Sequence, residues 1–315
     1  MVILMASPSL SLANINVIDK CWRGNPLWRS QRQQFAKCSI SFAGKMINNI
    51  GKDVVNFTAI DGHGVDVHIT GAGCLLVYQV TDRIIHGLRI HHCKAQPPST
   101  MMGPNTKVIL LGQMDGDAIR LVTVRKVSIN HNTLYECQDG LLNVTRGSTN
   151  ITVSNNWFRN QDKVMLLGHD DGHLRDKNMK VTVIFNHFGL KCNQRMPRVH
   201  HGYAHVANNF YQGWEQYAIG GSMSPSIKSE ANFFVALNDV GNKEVTWRKR
   251  KKGLWKFYSV GDVFKNGASF NKQTSVGGAK PNYNQEQNFK VVDAESVKEL
   301  TSESGILQCS RSLIC

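Results

Sequence analysis

From about Val54 onward the chain reads as short β-branched runs alternating with Asn, Gly and His, and helical periodicity is scarce. Four runs superpose: VSINHNTL (127–134), ITVSNNWF (151–158), VTVIFNHF (181–188) and YAHVANNF (203–210). Each alternates apolar positions, places Asn at its sixth position and sets a large apolar residue at its eighth. The resulting column is Asn132, Asn156, Asn186 and Asn208, and SIKSEANFF adds Asn232; the steps are 24, 30, 22 and 24 residues. A period in the twenties is the mark of a solenoid. No helical pattern intervenes, which excludes a leucine-rich-repeat horseshoe and predicts an all-β parallel β-helix. Stacking the coils puts the asparagines in one column at a bend, each amide able to hydrogen-bond the next. Phe158, Phe188 and Phe210 form a second, aromatic column by the same superposition.

The flanks read differently. Residues 1–13 are apolar and small, the remnant of a secretory signal or a disordered tail. Residues 14–315 read as a single domain. Its first part, to residue 43, is a short helix and an arm stapled to the body. A polar stretch at 271–293 is expected to loop over the solenoid, and the last segment to form a helix and a disulfide-closed tail.

The chain has 315 residues, 41% of them hydrophobic, enough to bury a large core. A formal net charge of +14 favours a polyanionic partner: nucleic acid, an anionic membrane or an acidic polysaccharide. No apolar run reaches the roughly 18 residues of a membrane span. RKRKK at 248–252 is the densest charge run. It suits a nucleic-acid patch or a solvated loop beside a polyanion-binding face, and no nucleic-acid module accompanies it. Six of the eight cysteines make local pairs by spacing, 21 with 38, 74 with 93 and 309 with 315. No CxxC points to zinc, and the even count suits an oxidised, secreted protein. Sequons begin at Asn56, Asn143 and Asn150.

Candidate chemistry follows the repeat. Asp139 lies 24 residues after Asp115 of the Asp115-Gly-Asp117 turn. Residues one coil apart stand about 4.8 Å from one another, so Asp115, Asp117 and Asp139 share one face. Clustered carboxylates repel unless a cation binds, and an oxygen-only set suits Ca²⁺. Lys163 is another 24 residues on, and Arg195 another 32, on a longer coil. The face therefore runs acid, acid, lysine, arginine. Arg195 belongs to a basic patch with Arg198, His200 and His201 in GLKCNQRMPRVHHGYAHVANN (189–209). A cation beside Lys and Arg is suited to an acidic sugar polymer. Paired acids for glycoside hydrolysis would stand free of metal at a fixed separation; Asp170 and Asp171 are adjacent and fit that less well.

DGDAI (115–119), DGLLNVTRGST (139–149), KVMLLGHDD (163–171), FNHFG (185–189), QRMPR (194–198), HVANN (205–209) and YAIGGS (217–222) resemble the plant pectate lyases, including the related pollen allergens of cypress-family conifers. CWRG and the terminal cysteines are similar to that group as well. The resemblance implies a right-handed parallel β-helix and Ca²⁺-dependent eliminative cleavage of de-esterified homogalacturonan. It also implies a protein that is secreted to the cell wall and binds neither nucleic acid nor membrane; a monomer is expected. By motif, Arg195 matches the proton-abstracting arginine and Lys163 a substrate-binding lysine. Arg198 and His200 fall in the substrate-binding stretch. Asp115, Asp117, Asp139 and Asn143 match the calcium ligands. Arginine is an awkward base, its pKa normally lying above about 12.

Three departures stand out. Asn143 replaces a fourth acid, so weaker Ca²⁺ binding is expected. His200 stands where the family has a second substrate-binding arginine; it carries little charge near or above neutral pH and lacks the bidentate grip. Several tens of family residues are missing between Cys38 and about Lys45, so the domain is expected to be shortened near 43–50. Reduced activity is the expectation, and a non-catalytic pectate-binding or allergen-like wall protein is the alternative.

Overall fold

The computed structural model describes residues 2–4, 58–62, 66–102, 108–223, 225–238, 242–249, 256–270 and 289–307. Its strands follow the period of the repeat. Each coil contributes one strand to each of three parallel sheets, which among the described residues hold nine, eight and eight strands. The sheets wrap a continuous core of Val, Ile, Leu and aromatic side chains. This is a parallel β-helix, as the periodicity predicted. An antiparallel pair, Ser99–Met102 with Val108–Leu111, departs from the wall.

The asparagine column forms at the bend between the second and third sheets. A residue with left-handed backbone turns the chain there: His131 (φ 51°), Asn155 (53°), Phe185 (54°), Asn208 (49°) and Ala231 (50°). The next residue enters the ladder. Asn132 donates its backbone N–H and side-chain N–H to Asn156 Oδ1 at 2.9 and 3.0 Å. Asn156 does the same to Asn186, Asn186 to Asn209, and Asn209 to Asn232. Asn232 closes the ladder on Asp262. These side chains are fully buried, and their polar atoms are satisfied from coil to coil. Burial pushes the Asp262 carboxyl up to about 6, despite donors from Ser229, Ser259 and Asn232.

One coil of the superposition shifts by a residue. Val181 aligns with Ala204, not Tyr203. Asn209 therefore holds the ladder position, and Asn208 is the left-handed residue before it. The aromatic column moves with it: Phe158, Phe188, Tyr211, Phe234 and Phe264 stack with centroids 5.1, 4.7, 4.4 and 5.5 Å apart. Phe210 stands one position outside that stack, beside His187 and Phe233. A single-residue slip in a strand exchanges its faces.

At the N-terminus, Val2–Leu4 forms a strand in parallel register with Leu75–Val77. At the other end a 3-10 turn (Ala294–Ser296) leads into the short helix Val297–Leu300, as expected for that segment. Cys74 and Cys93 form the expected disulfide. Cys137 and Cys192 are free thiols, pushed up to about 12 by burial. The pairs 21–38 and 309–315, the arm to residue 43 and the shortening near 43–50 lie outside the described residues.

Candidate active site

The nine-stranded sheet carries the site. On its outward face one register row runs Arg120, Asn143, Leu166, Arg198, Gly220, Trp247. These positions alternate with Leu142 and Met165, which point into the core. Nearer the strand starts, Gly140 aligns with Lys163, and Lys163 with Gln194. The acids lie just before the strands Ile119–Val122 and Gly140–Thr145.

Asp117 is buried. Its Oδ1 accepts the Gly140 N–H at 2.9 Å, and its Oδ2 has no partner. A Cβ on Gly140 would sit 2.8 Å from Asp117 Oδ1 and 3.1 Å from Asn143 Oδ1, so both oxygens close over a glycine. Burial, reinforced by the Asp139 charge, pushes the Asp117 carboxyl up to about 6. Asp139 is held by Lys163, Nζ to Oδ1 2.6 Å. Asp115 is half exposed, with Arg120 Nη1 at 3.8 Å.

The three acids line one edge of the sheet, but they do not close on one point. Among the described residues no three acidic, histidine or cysteine side chains gather closely enough to hold a metal ion. Lys163 draws Asp139 away, and Asp115 leans toward solvent. The donor set still fits a hard cation: the orphaned Asp117 Oδ2 and the neighbouring Asn143 oxygen are ligands of the type calcium takes.

Arg195 stands where the strand beside Gln161–Leu167 breaks, between Cys192–Gln194 and Arg198–Val199. Its backbone is left-handed (φ 63°), and its carbonyl accepts the Met165 N–H. That break lifts Arg195 out of the ladder one coil from Lys163. Its Nε is buried without a partner, and its guanidinium faces the Tyr217 hydroxyl. Arg198 donates to Ser222 Oγ from Nε and Nη2, at 3.1 and 2.7 Å, and lies 5.1 Å over the Trp247 ring.

His200 is buried. Its Nδ1 lies 2.9 Å from Asp171 Oδ1, and His201 Nε2 donates to the Asp171 carbonyl. Burial lowers the His200 pKa, outweighing Asp171. Lys249, from the basic run, takes the other Asp171 oxygen at 2.8 Å, and the Asp171 carboxyl is lowered to about 2, first by Lys249. The loop bearing Asp171 is pinned by buried Asp176, which accepts the Gly147 and His169 N–H groups. Arg248 lies over the Phe257 ring; 250–252 lie outside the described residues.

Sequence reasoning missed Arg120, Tyr217, Trp247 and the Asp171–Lys249 pair. Subtracting one coil from Asn143 reaches Arg120. Nothing periodic joins Asp171 to Lys249, 78 residues apart.

A coiled parallel wall with acids, a lysine and an arginine side by side on one face defines a β-helix protein with a mixed-charge cleft. Residues 101–308 match the family model described as pectate lyase. The chain is 38% identical to a probable pectate lyase 5 of Arabidopsis thaliana, covering 97% of this chain and 87% of the relative. It is 36% identical to pectate lyase 1 of Juniperus virginiana, covering 96% and 100%. The crystal structure of Jun a 1, the major cedar pollen allergen, superposes with a TM-score of 0.81 at 35% identity, over 92% of this chain and 99% of that one. The chain belongs to the pectate lyase family of enzymes. The Arabidopsis alignment runs over 362 residues against the 315 of this chain, so that relative carries stretches this chain lacks.

Proposed function

We propose that the protein cleaves de-esterified homogalacturonan by Ca²⁺-assisted β-elimination, as a secreted monomer of the cell wall. The observation that carries this reading is the placement of Arg195: it leaves the broken strand one coil from Lys163, which itself touches Asp139. Lys163 and Arg198 hold uronate carboxylates and fix the chain across the sheet. Arg195 takes the proton α to the carboxylate of the bound uronate. The released electron pair forms the C4–C5 double bond and the glycosidic C4–O bond breaks; the leaving oxygen takes a proton from solvent. Asp117 and Asn143, with Asp139 and Asp115 beside them, would hold Ca²⁺, which when bound withdraws charge from the carboxylate and acidifies that proton.

His200 contributes little to this grip. Its Nδ1 side is spent on Asp171, and as a neutral ring it offers no second cation. Together with Asn143 this supports reduced turnover. It also favours a second reading, a pectate-binding wall protein without catalysis. The Cys74–Cys93 disulfide suits an oxidising compartment. Asn143 is buried against the acids, which leaves its sequon no room for a glycan.

The test is ultraviolet absorbance of unsaturated product from polygalacturonate, with Ca²⁺ and with chelator. Chelator-sensitive product supports the lyase. Reducing ends without unsaturation indicate hydrolysis, and binding without product leaves the second reading.

A further inference from the structure

Arg120 is not used by the chemistry above, and it stands beside the acids that are. It sits on the outward face of the strand Ile119–Val122, the register neighbour of Asn143. Its side chain is only 16% exposed. Its ion contact is Asp115 at 3.8 Å, beyond hydrogen-bond reach, and it makes no hydrogen bond among the described residues. A guanidinium carries five N–H donors in a planar fork. The stem is mostly covered, but no Arg120 nitrogen is sealed from solvent without a partner, so the fork stays open to a ligand at the face of the sheet. The neighbouring position holds Asn143, an amide without charge, so nothing on that side neutralises Arg120. Asp117, Asp115 and Asp139 face the same space, and Lys163 already answers Asp139. The pocket thus holds three carboxylates against two built-in cations.

Resting on the pectate reading above, we propose that Arg120 is itself a substrate ligand. It is a fixed cation at the edge of the acidic pocket that grips a uronate carboxylate and lets the cleft bind its polymer without divalent metal. The fork matches a carboxylate in geometry and charge. The same guanidinium repels a second cation, so the residue that supports metal-free binding also weakens Ca²⁺ uptake. Asn143 and Arg120 act together: one removes a negative charge from the pocket and the other adds a positive charge beside it.

The experiment is calorimetry with trigalacturonate in chelator at pH 8, on the wild type and on Arg120→Gln, which keeps the size and removes the charge. A calcium arm is run in the Arg195→Ala background so that no product forms. Unfolding curves confirm that each variant is folded. The wild type is expected to bind in chelator, and Arg120→Gln to bind about tenfold or more weakly there. Without sugar, Arg120→Gln is expected to take up Ca²⁺ several-fold more tightly, and Arg120→Gln with Asn143→Asp more tightly again. Equal trigalacturonate affinity of the two proteins in chelator overturns the proposal. Wild-type binding that requires Ca²⁺ also overturns it, and leaves the pectate reading standing. No binding in either condition overturns both. Arg120→Lys gives a further check: a charge without the fork should recover only part of the loss.

Discussion

Lys163 Nζ rests 2.6 Å from Asp139 Oδ1, one coil away on the same sheet. Both groups are solvent-accessible, so the pair contributes about 0–1 kcal/mol to the fold. A uronate carboxylate can therefore take Lys163 from Asp139 at little cost, and that exchange frees Asp139 for a cation. Lys163→Met should raise KM for polygalacturonate by about tenfold or more while leaving the unfolding midpoint nearly unchanged. Steady-state kinetics with a denaturation curve checks both. A variant with normal KM would place the substrate elsewhere.

His200 and Asp171 give a second prediction. The ring is buried and paired with a carboxylate that also holds Lys249. Arg at this position would keep the Asp171 contact and add donors toward the sheet beside Arg198. His200→Arg should raise kcat/KM about five- to tenfold at alkaline pH, where histidine is neutral. No gain in turnover or KM would show that the histidine is not what limits the site.

The ladder gives a third. Asn209→Ala strands the Asn186 backbone N–H in the core, while the Asn186 amide keeps the Val153 and Ile184 carbonyls. The expected cost is about 2–4 kcal/mol, since one buried donor loses its acceptor and the Val183 and Ala207 carbonyls lose the Asn209 amide. Asn208→Gly keeps the left-handed backbone and loses only side-chain bonds to Ala231 and Val292; about 1 kcal/mol is expected. Urea unfolding of the two variants decides which asparagine carries the column. A larger loss at 208 would restore the unshifted register.

That slip shows what the sequence pattern can and cannot carry. The period, the coil architecture and the asparagine column were legible because every coil repeats them. Asp139, Lys163 and Arg195 were legible on one face for the same reason. YAHVANNF offers two adjacent asparagines and alternates in either frame, so spacing alone could not choose Asn209 over Asn208. Arg120 reads in sequence as an ordinary outward strand residue; only its register against Asn143 gives it meaning. The pairing of Asp171 with Lys249 depends on how two loops fold over the sheet, and no repeat encodes it.

Asp262 gives a prediction in pH. Burial raises its folded pKa to about 6 from 3.8. The folded protein thus holds this proton more tightly than the unfolded chain, and stability falls as pH rises from about 4 through 6. Asn at this position can still accept from Asn232 and carries no charge to bury. Asp262→Asn should stabilise the fold, by about 1 kcal/mol more at pH 8 than at pH 5. Denaturant unfolding at the two pH values tests it. An equal gain at both would mean that the carboxyl is not perturbed by burial.

The most direct measurement is formation of unsaturated product from polygalacturonate by the wild type and by Arg195→Ala, followed by ultraviolet absorbance at saturating Ca²⁺ and alkaline pH. A general base is worth about 10²–10⁴-fold. The wild type should form product, and Arg195→Ala should lose at least about a hundredfold in kcat with its folded spectrum and oligogalacturonate binding retained. Wild-type rates in the variant, or product from neither protein despite binding, would contradict the role of Arg195 as the base of an eliminative cleavage.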